Sequence, residues 1–184
     1  MRNLPNILQD EEKEQLFDQF NTRYYCNHRN KLMFQMMLHI GLRVSEVCSL
    51  KENNLNSDGK VTIKDGKGQK DRVLWISGPF QEKINTFKQR KPCCGLLFPT
   101  HNKTAVSRQY LWRVLKKKAS QANLNVSELS PHTLRHTFAT DLLRETNNLR
   151  LVQKALGHES IETTQIYTHI VDSELEDALK SRTV

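Results

Sequence analysis

The 184-residue sequence predicts a mainly α-helical fold with one small antiparallel β-sheet, an α+β chain organised as a single domain over residues 1–184. Apolar residues recur at helical spacing along most of its length, as in LMFQMMLHI (residues 32–40) and TLRHTFATDLL (residues 133–143). Over residues 61–76 the period drops to two, with VTI and RVLWI flanking DGKGQKD, a turn with the glycine content of a hairpin loop. The length suits one core of ordinary size and is short for two.

Residues 11–20 form a short amphipathic segment, and a longer helix spans about 30–40, with Leu32, Met33, Met36, Met37 and Ile40 on one face. Gly41 ends that helix, since a C-terminal cap favours a residue free to adopt positive φ. Ser45 is the expected cap of the short helix SEVCSLK, which leaves residues 42–44 as a tight corner with Arg43 on it. Lys67 lies at the tip of the hairpin. Helical spacing returns at Phe80, Ile84 and Phe87, breaks at KPCCG, and resumes from Ser107 as SRQYLWRVLKKKASQA. This last helix sets Leu111, Val114 and Leu115 against Arg108, Arg113 and the lysines at 116–118. Ser130 followed by Pro131 marks a helix start, a hydroxyl cap and then proline at the first helical position. Leu134, Phe138 and Leu142 form the expected buried stripe of that helix, and Asn147 and Asn148 stop it. A short helix over 149–156 closes at Gly157. Ser160 is expected to cap another that carries Ile161 and Tyr167, and about 173–181 reads as a final amphipathic helix with Leu175 and Leu179 on one side.

Charge bears on partners. Lys plus Arg number 28 against 20 Asp plus Glu, a net +8. Such a surplus suits a polyanion, because each cation placed on a phosphate releases condensed counterions. It is equally consistent with a protein kept in solution by its net charge. Cys26, Cys48, Cys93 and Cys94 contain no C-x-x-C pair and do not form a secreted disulfide framework, so free thiols in a reducing compartment are expected. No apolar run nears the roughly 20 residues that cross a bilayer, and MRNLPNILQDEEKEQ lacks a signal-peptide core. The expectation is a cytoplasmic protein with no membrane partner.

The histidines invite a test for metal. His132 and His136 are one helical turn apart, but H-T-L-R-H lacks the glutamate of H-E-x-x-H and sets a guanidinium between the two imidazoles. No metal site is expected. An oxyanion fits better: His132 and Arg135 follow a proline-capped helix start, where the helix dipole favours negative charge. On their own these two residues read equally well as a cap and a solvated charge. His158 after Gly157, Tyr167, Arg43 on its corner and Lys67 on its hairpin each have a similarly ordinary reading as surface or half-buried residues. Their joint order and local phrases change the balance.

G-L-R-V-S-E, D-G-K-G-Q-K-D-R, H-T-L-R-H, L-G-H-E-S and Y-T-H resemble the tyrosine recombinase (phage-integrase-like) family, and more narrowly its Xer-type dimer resolvases and their mobile-element relatives. The resemblance runs from about residue 4 to residue 169. It implies an active site of Arg43, Lys67, His132, Arg135, His158 and Tyr167, with Glu46 supporting the first arginine, and DNA contacts from Arg108, Gln109, Lys70 and Arg72. The implied function is site-specific DNA recombination, as integration and excision or dimer resolution, on double-stranded DNA and without a cofactor. Tyr167 would attack a phosphodiester to give a 3′-phosphotyrosyl intermediate. Assembly would be a homotetramer on DNA, with a monomer allowed in its absence, on the nucleoid in the cytoplasm. The C-terminal segment would dock either on a neighbouring protomer or on its own domain. The sequence opens on what reads as the catalytic domain, without the core-binding domain that precedes it in full-length relatives. Two alternatives stay open: a topoisomerase or telomere resolvase using the same tyrosine chemistry, and a DNA-binding module that has lost catalysis, which would be expected to lack one of these residues.

Overall fold

The computed structural model describes residues 6–64 and 71–157. Seven helices follow in order among the described residues: α1 (Asp10–Asp18), α2 (Tyr25–Ile40), α3 (Val44–Ser49), α4 (Gly78–Lys88), α5 (Arg108–Gln121), α6 (Pro131–Thr146) and α7 (Leu149–Leu156). A 3₁₀ turn at Glu52–Asn54 and the strands β1 (Lys60–Ile63) and β2 (Arg72–Trp75) lie between α3 and α4. The mainly helical architecture with a two-stranded antiparallel sheet is the one the sequence predicts.

Helix α2 is the centre of the packing. Leu32, Met33, Phe34, Met36 and Met37 are at most 1% exposed, so apolar contact surrounds much of the helix rather than one stripe. Each such side chain contributes about 1.5–3 kcal/mol by leaving water, which outweighs the modest helix propensity of the segment. The helix begins at Tyr25, earlier than the apolar pattern suggests, because polar Arg29 and Asn30 ahead of that pattern are also buried. Arg29 donates from Nε and Nη2 to Asn30 Oδ1 (3.1 and 2.9 Å) and from Nη1 to the Pro99 carbonyl (3.1 Å). Tyr25 Oη donates to the same carbonyl at 2.7 Å, and Asn30 Nδ2 donates to Tyr110 Oη at 3.2 Å. Buried polar groups persist when partnered, and these tie the first turn of α5 to α2.

Helix α6 packs on α2, with Leu134 fully buried in the core they share. Its start is the predicted one: Ser130 Oγ accepts from the Thr133 N–H (3.3 Å), and Thr133 Oγ1 accepts from the Ser130 N–H (3.0 Å). The buried stripe continues from Leu134 and Phe138 to Leu143 rather than to Leu142, which is half-buried. The shift follows from α7, which folds back so that Val152 and Leu156 pack with Phe138, Ala139 and Leu143 as a second small core. The reversal is made by Asn147 at φ +49, and Asn148 Oδ1 caps α7 by accepting from the Leu151 N–H at 3.1 Å.

The strands pair antiparallel with Ile63 opposite Arg72 and Val61 opposite Leu74. The period-two pattern puts Val61, Ile63 and Leu74 inward, and Arg72 shares that inner face at 6% exposure. Lys67, Lys70, His158, Tyr167, the helix expected after Ser160 and the C-terminal helix expected at about 173–181 lie outside the described residues. No helix among the described residues is long and apolar enough to cross a membrane.

Candidate active site

The site is built on the corner after α2. Gly41 ends that helix at φ +65, and a Cβ there would overlap the Phe138 ring, so α6 can approach the corner closely only because residue 41 is glycine. The next helix starts two residues earlier than a Ser45 cap would place it. Arg43 is the N-cap residue, and Glu46, three residues on, reaches back to accept the Arg43 backbone N–H at 2.7 Å. A carboxylate at this position satisfies an orphan helix donor and also meets the positive end of the helix dipole, which explains why it prevails over the serine hydroxyl.

The same carboxylate gathers guanidinium groups from three separate elements. Glu46 Oε1 accepts from Arg43 Nη1 at 3.0 Å. Arg72, from β2, donates from Nη1 to Oε1 at 2.8 Å and from Nη2 to Oε2 at 2.6 Å. Arg135, from α6, has Nη1 4.0 Å from Oε2. Burial by itself would raise the Glu46 carboxyl; the Arg72 hydrogen bonds and charge, the Arg43 N–H and the Arg135 charge outweigh it and hold the group below the usual carboxylate range. It is therefore an anion at neutral pH, and it aligns the arginines by charge-assisted hydrogen bonds.

Arg135 also closes the cluster from the other side. Its Nη1 donates to the Gly41 carbonyl and its Nη2 to the Leu156 carbonyl at 2.6 Å, so one buried side chain joins the ends of α2 and α7. His132, a turn earlier, is exposed. The two residues expected to share one face are thus split between the interior and its rim. His136, the residue after Arg135, is half-buried, and its imidazole is pushed down by burial and by the nearby His132 and Arg135, which favours the neutral form. Arg43 keeps 29% of its side chain accessible and borders the rim.

Arg72 departs from the sequence expectation. Read as a DNA contact, it is instead buried and bidentate to Glu46, because the strand alternation that buries Leu74 carries residue 72 to the same inner face. Glu46, expected to support the first arginine, lies within 4.0 Å of three. The parity of 72 with 74 was the available signal, and a charged residue at the mouth of a basic hairpin masks it.

Arg108 and Gln109 are exposed on the first turn of α5, which Ser107 caps by accepting the Tyr110 N–H at 3.1 Å. Trp112 and Arg113 continue that exposed face. No group of three or more His, Cys, Asp or Glu side chains among the described residues is placed to hold a metal ion.

Comparison with known proteins bears on the family and the fold. The sequence model described as the phage integrase family matches residues 6–174. The tyrosine recombinase XerD of Neisseria meningitidis serogroup B is 34% identical over 187 residues, covering 97% of this chain and 63% of that protein. The chain therefore spans a little under two thirds of the length of that relative. Among solved structures, the XerH site-specific recombinase bound to palindromic difH substrate in a post-cleavage complex superposes with a TM-score of 0.82 at 29% identity, over 97% of this chain and 54% of that one. The catalytic domain of bacteriophage HP1 integrase superposes with a TM-score of 0.68 at 25% identity, over 97% of this chain and 95% of that one.

Proposed function

The chain belongs to the phage integrase family and has the fold of a tyrosine recombinase catalytic domain, and on that premise we propose that it cuts and rejoins double-stranded DNA in site-specific recombination through a 3′-phosphotyrosyl intermediate. The observation that carries this reading is the Glu46 cluster, which draws Arg43 and Arg135 from distant parts of the sequence to one place.

In the reaction the Tyr167 oxygen attacks the scissile phosphorus, the bond to the 5′-oxygen breaks, and one ester replaces another. The bond energy is retained, so the 5′-hydroxyl of another strand can reverse the step without ATP. A phenol of pKa ~10 is mostly protonated at neutral pH and needs a proton acceptor; exposed His132 at the rim of the site is the assigned relay. Lys67 is assigned the proton given to the leaving 5′-oxygen. Arg43, Arg135 and His158 face the charge that gathers on the non-bridging oxygens, with the planar guanidinium forks supplying permanent positive charge. Arg108, Gln109 and Lys70 are assigned to the duplex. The active assembly is a homotetramer on DNA, acting on the nucleoid. The capture of XerH with its DNA after cleavage supports DNA as the partner.

The test uses a pool of duplexes, each carrying a nick beside a randomised sequence so that cleavage releases a short strand that cannot return. Protein-linked DNA recovered under denaturing conditions, with EDTA present, is the expected result. Tyr167→Phe should bind the recovered sequences and form no adduct. No adduct from the native chain, or an adduct that persists in Tyr167→Phe, overturns the proposal.

A further inference from the structure

Arg72 is not among the residues assigned above to the phosphate, yet it makes the shortest contact to the Glu46 carboxylate. Its side chain is 5% exposed, and its two terminal nitrogens engage the two Glu46 oxygens at 2.8 and 2.6 Å. A carboxylate held at both oxygens by one planar fork cannot rotate about its last bonds without breaking two charge-assisted hydrogen bonds. The Glu46 oxygens are also the ones that hold Arg43 at 3.0 Å and face Arg135 at 4.0 Å. Rotation of that carboxylate would release the Arg43 guanidinium and withdraw the negative charge that faces Arg135.

Arg72 is itself fixed from two sides. Its backbone is paired in the sheet opposite Ile63. Its aliphatic stem lies under the turn that closes α7, where Gly157 adopts φ +66 and a Cβ would come 3.1 Å from Arg72 Cδ and 3.4 Å from Nη1. The residue thus joins the strand, the corner bearing Arg43 and the end of α7, which immediately precedes His158 in sequence. A lysine could reach the carboxylate with a single ammonium but could not span both oxygens.

We propose that Arg72 is a positioning residue for DNA cleavage: its fork locks the Glu46 carboxylate, which in turn sets Arg43 and Arg135 against the scissile phosphate. The inference rests on the function proposed above. It differs from a DNA-contact role, which would lower affinity, and from a purely structural role, which would lower activity only as far as it lowers the folded fraction.

The experiment compares native chain, Arg72→Lys and Arg72→Gln on a duplex sequence recovered from the nicked pool. It measures single-turnover adduct formation, DNA affinity and thermal melting, and repeats the rate on a duplex whose scissile link is a methylphosphonate. In that link a methyl group replaces one charged non-bridging oxygen, so the rate depends less on where the guanidiniums sit. Expected are native affinity in both variants, native melting in Arg72→Lys, and an adduct rate lowered by about 10- to 100-fold on the phosphate, as misplacement of catalytic groups produces. The variant-to-native ratio should recover on the methylphosphonate. Native rates in the variants, a loss of affinity in place of rate, an equal deficit on both links, or a lysine variant whose activity falls only with its melting temperature each overturn the inference. If the native chain forms no adduct, the proposed function fails and this inference with it; an adduct from the native chain and unimpaired Arg72 variants overturn the inference alone.

Discussion

Glu46 links the chemistry of one side chain to the pH range over which the protein stays folded. Its carboxyl lies below the ordinary value of 4.5 in the folded chain, because the Arg72 fork, the Arg43 N–H and the Arg135 charge outweigh the upward push of burial. A folded-state pKa below the unfolded one means that the stabilisation is fully present above the unfolded value and disappears as pH falls through the folded one. Glu46→Gln removes the charge while keeping the shape. It leaves Arg72, 5% exposed, without its anion, and breaking one side of such a buried pair costs about 3–5 kcal/mol. Urea denaturation at neutral pH should show that loss. Repeated at pH steps below 4.5, it should show the native chain weakening faster than the variant, so that the two curves converge in acid. Parallel curves would mean that another group sets the acid limit.

At the scale of the element, α6 shows how cap and core divide the work. The Ser130 hydroxyl satisfies one helix donor at the partly buried start of the helix, and Ser130→Ala should cost about 1 kcal/mol. Leu134 is fully buried against α2, so Leu134→Ala should cost about 2–5 kcal/mol through lost transfer energy and a residual cavity. Urea midpoints of the two variants test the order, and the cavity should dominate. Helices of this kind are legible in sequence: the Ser130-Pro131 start, the Asn147-Asn148 stop and the closure of α7 at Gly157 all stand where local chemistry puts them. Elements whose polar residues turn inward are not. YCNHR opens α2 but precedes the apolar pattern that marks a helix from about residue 30, because Arg29 and Asn30 are buried with the help of the Pro99 carbonyl and Tyr110, partners that are remote in sequence. Arg72 is hidden in the same way: its parity with Leu74 is visible, but the carboxylate that makes an inward arginine stable belongs to another element. The three-fold use of Glu46 depends on α2, α6 and the sheet meeting at one corner, and no local pattern encodes that meeting.

The whole molecule carries a net charge of +8, and the described basic groups include two sets with different consequences. Arg72 and Arg135 are buried against Glu46 and backbone carbonyls, so most of their charge is directed inward. Arg108 stands exposed on the capped first turn of α5, which the contact between Asn30 and Tyr110 holds to the core, and Arg113 and Lys117 are exposed further along the same helix. Only cations of the second kind can displace counterions from a duplex over a wide surface. The logarithm of the DNA association constant should therefore fall linearly with the logarithm of salt concentration, and removal of one phosphate contact should make that slope shallower by about 1. Arg108→Ala should weaken binding and flatten the slope by that amount while leaving the single-turnover rate of bound complex unchanged. Arg43→Ala should do the reverse, lowering the rate with little change in slope, because its guanidinium is 29% exposed and shared with Glu46. Titration of each variant at several salt concentrations, paired with adduct formation at saturating DNA, separates the two. Equal slopes for native chain and Arg108→Ala would remove the first turn of α5 from the DNA-binding surface and require the molecule's positive field to meet the duplex elsewhere.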